Sequence, residues 1–135
     1  QGKVAADYVN GAYKGQTIGV FYKSDEAYSK GIFDQFSANL DSSITMVTAS
    51  FNDATATDFS TQIDTLKDCS FIFMPIYYTP ASQFMTEAKK TANNFKVFYG
   101  CDGFDGVLGQ IRLFPKSAVR NVAHHRVIGI TGRTS

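Results

Sequence analysis

The sequence predicts a doubly wound α/β fold, with a mainly parallel sheet of four to five strands and helices on both faces. Short apolar runs such as 17–23 and 71–76 alternate with segments whose apolar residues recur at helical spacing. The connections between these segments are short, which is typical of strands joined by helical crossovers. The 135 residues suffice for one domain with a core of its own.

The first half of the chain gives the clearest alternation. Apolar residues at helical spacing predict a helix over Lys3–Lys14, which stops before Gly15. The β-prone run Thr17–Lys23 predicts a buried strand. Ser24 is the expected cap of a second helix that runs to about Leu40.

The second half continues the pattern, with a polar connection at 52–57. Predicted strands cover Ile44–Phe51, Phe71–Ile76 and Lys96–Cys101, and predicted helices start at Thr57 or Asp58 and at Thr79–Pro80. Because proline has no N–H to donate, Pro75 should end the pairing of its strand.

The last part of the chain differs in composition from the rest. Residues 107–135 contain five basic residues and both histidines but no acid. We therefore expect a single α/β lobe over 1–135, in which 110–135 form an atypical basic tail. Its pattern allows a last helix near Ser117–Ala123 and an edge strand at Arg126–Thr131.

Composition excludes several classes of function. A formal net charge of +1 argues against a nucleic-acid binder. No apolar run reaches the roughly 18 residues that span a bilayer, so no membrane insertion is expected. Cys69 and Cys101 fall at opposite ends of two predicted strands, which predicts two free thiols rather than a disulfide. The dispersed cysteines and histidines predict no zinc site, and no cofactor is expected.

Ligands of open α/β sheets bind outside the carboxyl ends of the strands. The four loops there are Ser24–Tyr28, Asn52–Asp53, Tyr77–Thr79 and Asp102–Asp105. They combine aromatic rings with carboxylates, which suits a small ligand that carries an ammonium group. A purely structural interpretation stays open, in which the tyrosines cover a strand end and the aspartates cap helices.

Other chemistry at this edge has weaker support. Asp25, Asp102 and Asp105 offer oxygen ligands for Mg²⁺, as in a small flavodoxin-like or receiver-like enzyme. Cys101 ends a strand, but no flanking motif pairs it with a histidine, so a buried structural thiol is expected.

Four segments, in order, resemble the second lobe of type I periplasmic binding proteins, the branched-chain amino-acid receptor class of ABC transporters. They are KSDEAYSKGIFDQF (23–36), SFNDATATDFSTQIDTLK (50–67), FIFMPIYYTPASQFMTEAK (71–89) and VFYGCDGFDGVL (97–108). The resemblance covers about Lys3–Leu108, and the combination of segments is more specific than any one of them.

The resemblance implies a non-catalytic receptor for an amino acid or similar amine-bearing solute. Tyr28, Tyr77 and Asp102 would line the second lobe's side of the cleft, with Asp102 holding the ligand's ammonium group. Tyr78 and Phe104 would be more structural. The full-length relative would be periplasmic or extracellular, lipid-anchored or secreted, and would deliver its solute to an ABC permease.

The sequence also departs from the family pattern. The first lobe, which normally holds the ligand's carboxylate, has no counterpart here, so this chain offers half of a site and weak binding is expected. The family pattern is lost after Gln110. A lobe without its partner exposes interface, which makes a homodimer an expected partner state. The alternative is a truncated folding or assembly unit that binds no ligand.

Overall fold

The computed structural model describes residues 1–101, 111–112 and 126–129, with side chains described for residues 1–100. The helices are α1 (Gly2–Ala12), α2 (Ala27–Asn39), α3 (Ser60–Leu66) and α4 (Tyr78–Ala88), with a 3-10 turn at Asp53–Thr55. The strands are β1 (Thr17–Lys23), β2 (Thr45–Phe51), β3 (Phe71–Met74), β4 (Val97–Cys101), β5 (Ile111–Arg112) and β6 (Arg126–Gly129).

The strands form one sheet in the order β2-β1-β3-β4. All neighbours in this series are parallel, and β6 extends the parallel pairing along the far edge of β4. The short strand β5 pairs with the end of β4 in the antiparallel direction. The predicted fold class is confirmed. Strand β6 (Arg126–Gly129) begins at the residue where the tail strand was expected to begin. The pattern did not predict β5, and the expected helix at 117–123 lies outside the described residues.

The sheet separates two apolar cores, which makes the fold doubly wound. On one face, α1 and α2 pack through residues such as Val9 and Phe36 against Val20 and Phe73. On the other face, α3 and α4 pack against Phe21 and its neighbours. Aromatic rings fill much of this second core, with the ring centroids of Phe21 and Phe84 4.4 Å apart. Such pairs add packing energy beyond the area that they bury.

Two helix starts differ from the predictions. Ser24 does not cap α2, because its amide and hydroxyl both donate to the Phe51 carbonyl, at 2.8 and 3.2 Å, and so tie β1 to β2. Helix α2 therefore begins after Glu26. Helix α4 begins at Tyr78, earlier than the Thr79–Pro80 start, so Pro80 lies within the first turn, where proline is tolerated. Strand β3 ends at Met74, directly before Pro75, as predicted.

The start of α3 is stabilised from two directions. The Asp58 carboxylate accepts from the Ser60 amide at 2.8 Å, but Phe59 occupies the N-cap position, so the prediction that Thr57 or Asp58 is the cap was wrong. Glu87 of α4 accepts from the Phe59 amide, also at 2.8 Å. This second bond joins the two helices on that face of the sheet.

The described cysteine side chain is buried and free. Cys69 lies in the core between the sheet and helices α3 and α4, where burial raises the pKa of its thiol. The register places Phe71 beside Val97 and Met74 beside Gly100, so Cys69 and Cys101 fall at opposite ends of the paired strands. The Cys101 side chain lies outside the described residues. In the described part of the chain, no helix is long and apolar enough to cross a membrane.

Candidate functional site

The strand order reverses between β1 and β3. The chain leaves β1 towards α2 on one face of the sheet, and leaves β3 towards α4 on the opposite face. The two connections diverge at the carboxyl edge, which is the usual ligand position in doubly wound sheets.

Two predicted site residues meet at this edge. Tyr28 is the second residue of α2, and Tyr77 immediately precedes α4. Their rings stack with centroids 4.7 Å apart and planes 17° from parallel. Tyr28 is half-buried, whereas Tyr77 is 37% exposed. The structure therefore brings together the two tyrosines that the sequence placed in different loops.

The remaining predicted site residues are less fully described. Asp102 follows Cys101, the last residue of β4, but Asp102 itself lies outside the described residues, as do Phe104 and Asp105. Tyr78, like Tyr77, is 37% exposed. The ligand-binding role of Tyr28, Tyr77 and Asp102 stays a prediction.

A charged network lies at the neighbouring ends of β1 and β2. Lys23 Nζ lies 3.2 Å from Asp25 Oδ1 and 2.8 Å from Asp53 Oδ1. The Asp53 amide donates to Asp25 Oδ2 at 3.1 Å. One ammonium thus faces two carboxylates, and the network carries a net negative charge. Sequence reasoning identified both aspartates as edge residues but missed Lys23, which no motif distinguishes from other strand-end lysines.

The network shifts the pKa values of Lys23 and Asp25 and of the neighbouring Glu26. The hydrogen bond to Asp53 is the main cause that raises the pKa of Lys23. The amide of Asp53 is the main cause that lowers the pKa of Asp25, with Lys23 acting in the same direction. Burial raises the pKa of Glu26, and the nearby carboxylates of Asp25 and Asp53 add to that rise. The network therefore stabilises the charged forms of Lys23 and Asp25.

The magnesium alternative receives no support from Asp25. Both of its oxygens are already engaged, one by the Lys23 ammonium and one by the Asp53 amide. Among the residues that the structure describes, no three acidic, histidine or cysteine side chains are grouped to hold a metal. Asp102 and Asp105, the other two proposed ligands, lie outside this set.

Comparison with solved structures identifies the fold. A substrate-binding periplasmic protein from Ralstonia solanacearum is similar over 92% of this chain and 32% of its own, at 17% identity and a TM-score of 0.63. The branched-chain amino acid transporter substrate-binding protein LivJ from Streptococcus pneumoniae, solved with isoleucine, is similar over 91% of this chain and 32% of its own. The identity is 22% and the TM-score 0.65. No protein-family model and no curated protein sequence matches.

These similarities confirm the predicted resemblance in fold. The chain has the α/β fold of a lobe of type I periplasmic binding proteins, and it spans about a third of the length of the two structures. Both of those proteins are described as substrate-binding proteins.

Proposed function

We propose that this chain is the second lobe of a non-catalytic solute-binding protein that serves ABC-type import of an amino acid or similar amine-bearing solute. The observation that carries the proposal is the Tyr28–Tyr77 stack, which lies where the strand order reverses. The fold shared with two substrate-binding proteins supports it, and one of these was solved with an amino acid.

The chemistry of the edge fits a cationic group. Aromatic faces attract an ammonium through the ring quadrupole, and a carboxylate supplies the opposite charge. Tyr28 and Tyr77 provide the rings. Asp102, in the loop after β4, is the proposed carboxylate, because the carboxylate of Asp25 is already engaged by Lys23.

One lobe supplies one wall of a cleft, so weak binding is the expected result. Closure of a second lobe normally buries the ligand and strengthens each polar contact by excluding water. We propose that a first lobe holds the ligand's carboxylate and that the complete receptor is periplasmic or extracellular. Its import partner would be an ABC permease.

Amide NMR spectra of the isotope-labelled chain, with and without free amino acids at millimolar concentration, test this proposal. The expected result is a set of shifts confined to Tyr28, Tyr77, Asp102 and their neighbours. Well-dispersed spectra with no shift at any amino acid would overturn ligand binding by this lobe and favour a folding or assembly unit. Shifts produced by Mg²⁺ alone, abolished by Asp102→Asn, would favour a metal-dependent enzyme instead.

A further inference from the structure

Strand β2 lies at one edge of the described sheet. In the described part of the chain β1 is its only strand neighbour. The Thr45 amide donates to the Gln16 carbonyl at 3.0 Å, and the Ser24 amide donates to the Phe51 carbonyl at 2.8 Å. In a parallel ladder this pattern turns Thr45, Val47, Ala49 and Phe51 towards β1. The backbone groups of Met46, Thr48 and Ser50 therefore point away from the sheet.

This edge lacks the usual protection against pairing. Natural edge strands carry charged residues, proline or bulges that prevent association with another chain. Thr45–Phe51 contains no charged residue, proline or glycine, and it pairs with β1 without a bulge. One outward group has a partner, because Gln62 Nε2 donates to the Ser50 carbonyl at 3.0 Å. A carbonyl oxygen can accept a second hydrogen bond, so this contact leaves the edge competent to pair.

We propose that β2 pairs antiparallel with β2 of a second copy of this chain, across a two-fold axis at Thr48. Thr48 then exchanges two hydrogen bonds with Thr48 of the other copy, and Met46 of each copy pairs with Ser50 of the other. The surface is self-complementary, as a two-fold interface requires. The two sheets become one continuous sheet.

Charges at the two ends of the strand favour this orientation over a parallel one. The Gly15 amide donates to Ser43 Oγ at 3.2 Å, which holds the exposed Lys14 beside the start of β2. Asp53 follows the end of β2 and pairs with Lys23, but Lys23 is shared with Asp25, so this end keeps a net negative charge, and the Asp53 side chain is 84% exposed. Antiparallel pairing brings Lys14 of each copy towards Asp53 of the other. The dimer should therefore weaken as salt concentration rises.

A single pair of seven-residue strands makes a small interface. Interfaces below about 1,200 Å² are typical of weak complexes. We expect a dissociation constant in the range of about 10 μM to 1 mM.

Sedimentation equilibrium of the full chain tests the proposal. The wild-type chain should dimerise in this range, and Thr48→Lys should raise the dissociation constant at least about tenfold through like-charge repulsion across the axis. Thr86→Lys, which adds the same charge to an exposed position of α4, is the matched control and should leave it unchanged. A chain that remains monomeric at about 1 mM, the upper limit of the expected dissociation constant, would overturn the proposal. A dimer that Thr48→Lys does not weaken would overturn it as well.

Cysteine cross-linking tests the register independently. Residues that share a hydrogen-bonded antiparallel pair have Cα atoms about 5.5 Å apart, within reach of a disulfide. Thr48→Cys should therefore form a covalent dimer under mild oxidation. Ser50→Cys, equally exposed on the same strand, lies opposite Met46 of the other copy and should not. Equal cross-linking of both variants, or of neither, would contradict a two-fold axis at Thr48.

Discussion

The rings of Tyr28 and Tyr77 stack at 4.7 Å, although their helices lie on opposite faces of the sheet. The stack therefore bridges the two layers across the carboxyl edge, at the place where the two connections diverge. Tyr28 lies in the first turn of α2, and Tyr77 immediately precedes α4. The contact between their rings therefore fixes the relative position of the first turns of the two helices. The same two rings are the proposed ligand platform.

The stack should contribute measurable coupling to stability. A double-mutant cycle of Tyr28→Ala and Tyr77→Ala should give a coupling free energy of about 0.5–1.5 kcal/mol, measured by urea unfolding. Tyr77→Ala combined with Phe33→Ala is the control, because Phe33 stacks on Tyr22 instead. Equal coupling in both cycles would show that the Tyr28–Tyr77 contact has no special role.

The network of Lys23, Asp25 and Asp53 predicts that the free energy of unfolding falls at both alkaline and acidic pH. The folded pKa of Lys23 is raised above the ordinary 10.5, so its contribution is present at lower pH and is lost as pH rises through the folded pKa. The folded pKa of Asp25 is lowered below the ordinary 3.8, so its contribution is present above that value and is lost as pH falls through the folded pKa.

Lys23→Met should remove the alkaline loss of stability that this network causes, and should shrink the acidic loss only in part. The Asp53 amide, the larger cause of the Asp25 shift, stays in place. Lys67→Met, which removes an exposed partner of Asp64, is the control. Its unfolding free energy should depend on pH in the same way as that of the wild type. Unfolding free energies measured across pH would refute the network's role if Lys23→Met left the profile unchanged.

Two glycines of α1 should respond in opposite ways to alanine. A Cβ at Gly2 would lie 2.5 Å from the Ile32 carbonyl oxygen and 2.7 Å from the Phe36 amide nitrogen, both backbone atoms that cannot move alone. Gly2→Ala should force α1 away from α2 and destabilise the lobe by about 1–3 kcal/mol. Gly11 has no atom within 4 Å of such a Cβ.

Gly11→Ala should therefore stabilise the lobe by about 0.4–1 kcal/mol, because alanine narrows the unfolded ensemble and favours the helix. Thermal or urea unfolding of the two variants measures both effects. Changes of the same sign would contradict the close packing of α1 on α2 at Gly2.

Glu87 should matter for stability more than its position on a half-exposed helix face suggests. Its carboxylate accepts from the Phe59 amide at 2.8 Å, and Gln83 Nε2 donates to its other oxygen at 2.9 Å. Glu87→Ala leaves the Phe59 amide without this acceptor and should cost about 1–3 kcal/mol. Glu87→Gln keeps an acceptor oxygen and should cost less. Equal losses in the two variants would indicate that the hydrogen bond contributes little.

Sequence patterns predicted the sheet well because its strands are short and apolar. Strand β1 has the predicted bounds, and β3 stops before Pro75 for the predicted reason. Helix starts were harder to predict, since they depend on partners distant in sequence. Ser24 has capping chemistry, but its hydroxyl is used by the Phe51 carbonyl. Glu87 carries no local signal that it would hold the start of α3.

Loop positions predicted where the candidate site lies, and the family resemblance singled out Tyr28, Tyr77 and Asp102 within those loops. The rule that ligands bind at strand carboxyl ends led to the loops that contain Tyr28 and Tyr77, and the structure places the rings of these two residues in contact. The rule does not say which residues of different loops contact each other. The network of Lys23 with Asp25 and Asp53 was therefore not expected. Lys23 lies at a strand end in the sequence like any other polar residue, and only the alignment of β1 with β2 brings Asp53 to it.

The central claim is tested most directly by measuring amino-acid binding to the Tyr77→Ala and Tyr78→Ala variants in amide NMR titrations. The two tyrosines are adjacent and equally exposed, but Tyr77 stacks on Tyr28 at the proposed platform. The account predicts that Tyr77→Ala weakens binding of the amino acid at least about tenfold, the loss expected for one aromatic face on a cation, while Tyr78→Ala changes it little. Equal affinity in Tyr77→Ala and the wild type would contradict the proposed site.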